Sequence, residues 1–279
     1  VVTKTGLFFT NTGGGASYWA TPMFTGNVDY FFNADEPIVP EDGGNPTAPT
    51  PPVVDVWYGN TQNFGQLGVP QRWANIPGHV WDTDAIASLS YTLNGGPSNP
   101  LNMGPDGQRL VGYGDYNVEI DYDDLIAGAN NLTITAIDTL GEQTDHMVTI
   151  NYTAGITWEM PYLADWSEAT EIADAAHVGD GRWILTPDGL RTDPAGTGYD
   201  RFVVLGDRTW MTDYEVTVPM TIHAGNLGGI TGFGIAMGWR GHVGGGIDGP
   251  VLVQPRLENR YQAIAWLRDF PNDPFFELK

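Results

Sequence analysis

Residues 212–223 read TDYEVTVPMTIH, and residues 232–239 read GFGIAMGW. In the first stretch Tyr214, Val216, Val218, Met220 and Ile222 share one face, while Glu215, Thr217, Thr221 and His223 share the other. That period of two predicts a half-buried antiparallel strand. In the second, Phe233, Ile235, Met237 and Trp239 alternate with Gly232, Gly234, Ala236 and Gly238, so one face is nearly bare backbone. Two such strands in succession predict a large β-sandwich, of which only the opening part fits before residue 279.

Upstream, residues 53–154 hold short apolar runs separated by turns: VVDVWYG, IASLSYTLNGG, RLVGYGDYNVEID, NNLTITAID and HMVTINYT. About one hundred residues of this pattern predict an immunoglobulin-like sandwich. Residues 36–52, EPIVPEDGGNPTAPTPP, are rich in Pro, Gly and Thr and predict an exposed, semi-extended linker. Residues 1–35 read as two or three strands around the Gly13–Gly15 turn. The one helical candidate, Asp165–Ala176, reads equally well as a loop.

Composition narrows the function. The chain has 279 residues, enough for two domains with real cores. Acidic residues number 34 against 12 basic ones, for a formal charge of −22. The excess is spread along the chain, so no basic patch exists to neutralise phosphates. Nucleic acid and anionic membranes are excluded as partners on that ground, and a salt- or calcium-rich exterior would screen such a surface. Cysteine is absent, which removes disulfides, thiolate catalysis and zinc–thiolate sites. No apolar run is long enough to span a bilayer, and no signal-peptide pattern is present. A start at Val1 fits a processed or excised segment.

The motifs WDTDAIASLSYTLNGG (81–96), DYNVEIDYDDLIAGANNLTITAID (115–138) and VTINYT (148–153) resemble bacterial extracellular immunoglobulin-like, cadherin-like and polycystic-kidney-disease-type repeats. From Ile156 onward, DWSEATEIADAAHVGDGRWIL, GYDRFVVLGDRTWMTDYEVTVPMTIHAG, GFGIAMGWRGH and YQAIAWLRD resemble the first half of a concanavalin A-like, laminin-G-like or glucanase-like jelly roll. FTGNVDYFFN (24–33) resembles the closing strand of the same kind of domain. The expected fold class is therefore all-β: an immunoglobulin-like sandwich (53–154) plus a concanavalin A-like jelly-roll module (155–279). The jelly roll is either incomplete or completed by residues 1–35, within the chain or from a neighbouring molecule.

The resemblance implies calcium. Asp82 and Asp84 stand where related modules carry D-x-D, and Asp138 matches the acid after a later strand; three carboxylates converging at one end of a sandwich would suit Ca2+. The same aspartates also suit turns, where they cap their own backbone. Sugar recognition pairs an aromatic platform with a few polar groups. The candidates are Trp239, the first choice for exposure among the tryptophans of 155–279 although core packing is the stronger reading even there, with Arg240 and His242 beside it, and Trp266. Glu119, Asp121 and Asp124 resemble the E-x-D-x-x-E strand of laminarinase-like retaining glycoside hydrolases. Asp124 replaces the second Glu, however, and the run lies in the immunoglobulin-like module. It reads as an acidic strand end, and no catalytic residue is assigned. The five histidines are scattered, none at metal-pair spacing.

These readings imply a non-catalytic carbohydrate-binding or adhesion protein, extracellular or at a bacterial cell surface. Its expected partner is a glycan or surface polysaccharide, with no nucleic acid and no membrane insertion. One alternative is a structural subunit of a filament, sheath or array that self-associates head to tail by strand complementation. The other is a glycoside hydrolase or polysaccharide lyase fragment.

Overall fold

Alternation of apolar and polar residues decides the strands between 53 and 152. The computed structural model describes residues 49–193, 201–210, 213–222, 232–244, 253–268 and 274–279. The chain divides into two compact units, Val1–Ala48 and Pro49–Lys279. The first lies outside the described residues, as do the strands expected over 1–35 and most of the linker. Of the linker's last residues, 49–51 are exposed and Pro52 is buried, its carbonyl accepting a hydrogen bond from Thr144 Oγ1 at 2.5 Å.

The second unit is all-β. Its first eight strands are β1 (Val53–Val56), β2 (Thr61–Phe64), β3 (Trp73–Trp81), β4 (Ile86–Leu93), β5 (Asn99–Leu101), β6 (Asp115–Asp121), β7 (Gly128–Asp138) and β8 (Gln143–Tyr152). They form two sheets, ordered β1-β3-β6 and β2-β8-β7-β4-β5. The β2–β8 pair is parallel, and the other pairs are antiparallel. Consecutive strands are thus distributed between two sheets that share one core, a β-sandwich. At the end of β4, Asn94 and Gly95 both take positive φ, the two-residue geometry that reverses a strand into its neighbour.

Period-two burial builds the core. Ala74 and Ile76 of β3, Tyr116, Val118 and Ile120 of β6, Leu132 and Ile134 of β7, and Val148 and Ile150 of β8 turn inward and pack as one cluster. Each large aliphatic side chain there contributes about 1.5–3 kcal/mol by leaving water. The central strand β3 was not among the runs expected from sequence, because Pro77 and Gly78 interrupt it. Pro77 is tolerated because it lies one residue beyond the end of the β1 ladder, opposite Asn117 of β6. Gly78 is required. A Cβ there would come within 2.3 Å of the Tyr116 hydroxyl, which crosses the strand to donate to the Asp55 carbonyl at 3.0 Å.

After residue 155 the described residues form four small sheets. The strands are β9 (His177–Asp180), β10 (Trp183–Thr186), β11 (Gly189–Thr192), β12 (Phe202–Val204), β13 (Gly232–Met237), β14 (His242–Val243), β15 (Glu258–Asn259), β16 (Ala263–Arg268) and β17 (Phe275–Leu278). They pair as β9 with β12, β10 with β11, β14 with β15, and β13-β16-β17. The candidate helix at 165–176 is turn and bend around one 3-10 turn at Ile172–Asp174.

Two strand expectations fare differently here. The glycine run forms β13 and lies directly opposite β16, with Gly234 facing Trp266. Its bare face lets the backbones and Trp266 approach: a Cβ on Gly234 would lie 2.0 Å from the Ala265 carbonyl and 2.6 Å from the Trp266 Cβ. The stretch 212–223, by contrast, is corrected. Its described part, 213–222, joins no ladder among the described residues, and Val216, Val218, Met220 and Ile222 stay 38–46% exposed. Alternation supplies a face but not a partner strand, and Pro219 removes a donor from its middle.

Candidate functional site

The three aspartates expected to hold calcium come together. Asp82 and Asp84 lie in the β3–β4 connection and Asp138 closes β7. One carboxylate oxygen from each lies within 4.8 Å of the others. Two oxygens bound to one calcium at about 2.4 Å can be no more than about 4.8 Å apart, a limit that this spacing meets.

The two loops are fastened to each other and to their own carboxylates. Asp84 N–H donates to Asp82 Oδ1 at 2.7 Å, and the Leu140 and Glu142 N–H groups donate to Asp138 Oδ1 at 2.8 and 2.9 Å. Thr139 N–H donates to the Ala85 carbonyl at 3.1 Å, and the Thr139 hydroxyl donates to the Asp84 carbonyl. The turn-capping role read from sequence is thus real, but it leaves something over. Asp138 is 2% exposed, and its Oδ2 is buried with no hydrogen-bond partner among the described residues. A buried, unpaired carboxylate oxygen is costly, and a hard cation satisfies it.

The four residues expected to bind sugar are not gathered into one exposed patch. Trp239 is 7% exposed, so the core packing weighed against sugar contact is what the structure shows, and its choice as the exposed tryptophan is corrected. Its indole stacks on Phe202 at 4.9 Å between centroids and donates from Nε1 to Asn259 at 2.9 Å. His242 is 1% exposed, meets the Trp239 ring edge-on at 5.3 Å and places Nε2 3.1 Å from Asp180. Arg240 is exposed. Trp266 lies in the separate β13-β16-β17 sheet, its Nε1 donating to Glu277 at 2.9 Å and the Arg268 guanidinium 4.7 Å from its ring. Three of the four are committed to packing or ion pairs.

Of the hydrolase-like carboxylates, Glu119 and Asp121 are committed as well, while Asp124 is exposed. On β6 the outward residues Asp115, Asn117 and Glu119 are buried, because the segment from β9 onward packs over this face of the sheet. Glu119 accepts from Arg109 Nη1 at 2.6 Å, and from Arg256 N and Nη1 at 2.9 Å each. Arg109 also grips Asp180 and donates to the Arg256 carbonyl. Burial opposes the charge of Arg109, but Asp180 and Glu119 outweigh it and hold the guanidinium above its ordinary value. Burial pushes the Asp180 carboxyl up, against the pull of Arg109 and His242. Asp121 pairs with Arg72 at 2.7 Å and caps the 3-10 turn Tyr122–Asp124. Glu119 has no exposed side-chain surface for a substrate to reach.

A feature missed in the sequence lies along the seam where the β9–β10 segment meets β1 and β2. Two cavities of about 320 and 450 Å³ adjoin there, sharing Trp57 and Arg182 in their walls. The Tyr58 hydroxyl fastens the seam, donating to the Gly181 carbonyl at 2.9 Å and accepting from Trp183 N–H at 2.8 Å; burial pushes it up to about 12. His177, in the wall of the smaller cavity, stacks on Phe64 at 5.9 Å, and burial lowers it to about 4. His79 and Asp115 pair at 2.9 Å in the larger one. The dipeptide Trp57-Tyr58 at the end of a short strand was the visible signal. Nothing in the sequence linked it to residues 171–185.

No family model and no curated protein matches the chain. Its function has to be inferred from its own residues. Of the constellations described, only the aspartate triad combines converging ligand atoms with a buried, unpartnered oxygen.

Proposed function

We propose that this chain is a non-catalytic, calcium-binding β-sandwich protein that acts in carbohydrate-dependent adhesion at the outside of a bacterial cell. The observation that carries the calcium is the convergence of Asp82, Asp84 and Asp138 with the orphaned Oδ2 of Asp138. The −22 charge supports it, since divalent cations screen such a surface. The adhesive role rests on the sandwich architecture and on the resemblance of its motifs to extracellular repeats. Calcium titration followed by thermal unfolding tests the core of this reading: millimolar calcium should raise Tm, and a chelator should reverse the rise. An identical Tm with calcium and with chelator would sink it.

A second reading, a self-assembling structural subunit, is favoured by one observation. Residues 213–222 present alternating apolar side chains with no ladder among the described residues, and an apolar strand of that kind invites pairing with another chain. Deleting residues 1–35, which resemble closing strands, should then abolish assembly seen by light scattering. Undiminished assembly of the truncated chain rejects this reading.

A further inference from the structure

Resting on the carbohydrate-binding reading, we propose that the seam groove beside Trp57 is the saccharide site, and that it takes an uncharged oligosaccharide along its length. The two adjoining cavities fall in the volume range of small-molecule sites and meet at Trp57 and Arg182. An extended chain of sugar units fits a two-part groove better than a compact ligand does.

The smaller cavity has the composition that sugars require. Trp57, Tyr58 and Trp183 supply aromatic faces and edges for the apolar side of a pyranose ring, while Gln62 and Asn63 supply amide groups. Its walls are fixed before any ligand arrives. Tyr58 binds both Gly181 and Trp183, the Trp183 Nε1 donates to the Asp180 carbonyl at 3.0 Å, and Asn63 donates to Glu171 at 3.1 Å across the seam. Such prior fixing lowers the entropy lost on binding. One group in the wall is left wanting: His177 is 4% exposed, and its Nε2 is buried without a hydrogen-bond partner among the described residues.

Charge argues for a neutral ligand. The smaller cavity carries one carboxylate, Glu171, against one guanidinium, Arg182. In the larger one, Asp55, Asp115 and Asp193 offset Arg109, Arg182 and Arg201. A polyanion would gain no net attraction there and would meet the repulsion of the whole chain.

Calorimetric titration of the full chain with β-1,3- and β-1,4-linked glucose hexamers tests the proposal. Binding should be seen with at least one hexamer. Trp57→Ala should weaken it by about tenfold or more. Ile184→Arg, at a cavity-wall position that is 42% exposed, should do the same with an unchanged Tm, which separates blockage from misfolding. Trp266→Ala, in another sheet, should bind as the parent does. If the parent binds and Ile184→Arg binds equally well, the groove is the wrong site and carbohydrate binding stands. If the parent binds neither hexamer, the groove proposal and the carbohydrate reading both fail.

Discussion

Arg109 and Asp180 are joined by a forked pair, with Nε 2.9 and 3.1 Å from the two carboxylate oxygens and Nη2 2.7 Å from Oδ1. Both side chains are essentially buried, and they fasten the sandwich to the segment 71 residues further along. Removing Arg109 takes the forked partner from Asp180 and one of two guanidinium partners from Glu119 in a low-dielectric seam, leaving Asp180 to Asn117 and His242 and Glu119 to Arg256. Arg109→Met should therefore cost about 3–5 kcal/mol in urea unfolding. A loss below about 1 kcal/mol would show that the pair is not essential to the fold.

His177 sets an acid limit on stability. Its folded value of about 4 lies below the ordinary histidine value of 6.5, so the unfolded chain binds the proton more tightly. The stabilisation is complete above about pH 6.5 and disappears as the pH falls towards 4, with a full span of about 3 kcal/mol. His177→Phe keeps a ring against Phe64 and Trp158 but cannot titrate. Urea midpoints at pH 7 and pH 4.5 should differ less in this variant than in the parent; equal differences would assign the acid sensitivity to other groups.

Asp138→Asn keeps the acceptor oxygen for Leu140 and Glu142 and removes charge from the triad. The variant should fold and lose the calcium-dependent rise in Tm. Retention of the full rise would place the ion elsewhere.

Gly234→Val brings a side chain against the Ala265 carbonyl and Trp266. It should open the β13–β16 pair while leaving the sandwich core intact. Hydrogen exchange should speed up within 232–237 and 263–268 and stay slow in β7 and β8. Uniformly faster exchange would mean that the small sheet and the sandwich unfold together.

Ile76 is fully buried at the centre of β3. Ile76→Ala should cost about 2–5 kcal/mol by transfer and cavity terms, read from the urea midpoint. A cost near zero would mean that the neighbouring strands collapse into the space.

Alternation in IASLSYTL, DYNVEID and NNLTITAID announced β4, β6 and most of β7, because a strand with one buried face writes its period into the sequence. Asp82, Asp84 and Asp138 were singled out by the resemblance of the flanking motifs to extracellular repeats, not by alternation. What the other face of a strand meets was not legible. Asn75, Asn117 and Glu119 are polar side chains of β3 and β6, yet they lie buried beneath a later segment held by Arg109, Asp180 and Arg256. Trp239 read as either core or exposed, and Phe202 covers it. Residues 214–222 carry the clearest alternation in the chain and pair with no described strand. Local pattern states that a residue has a polar or an apolar side, a property of the chain itself. Which surface covers that side depends on contacts between segments far apart in sequence, and only the tertiary structure decides those.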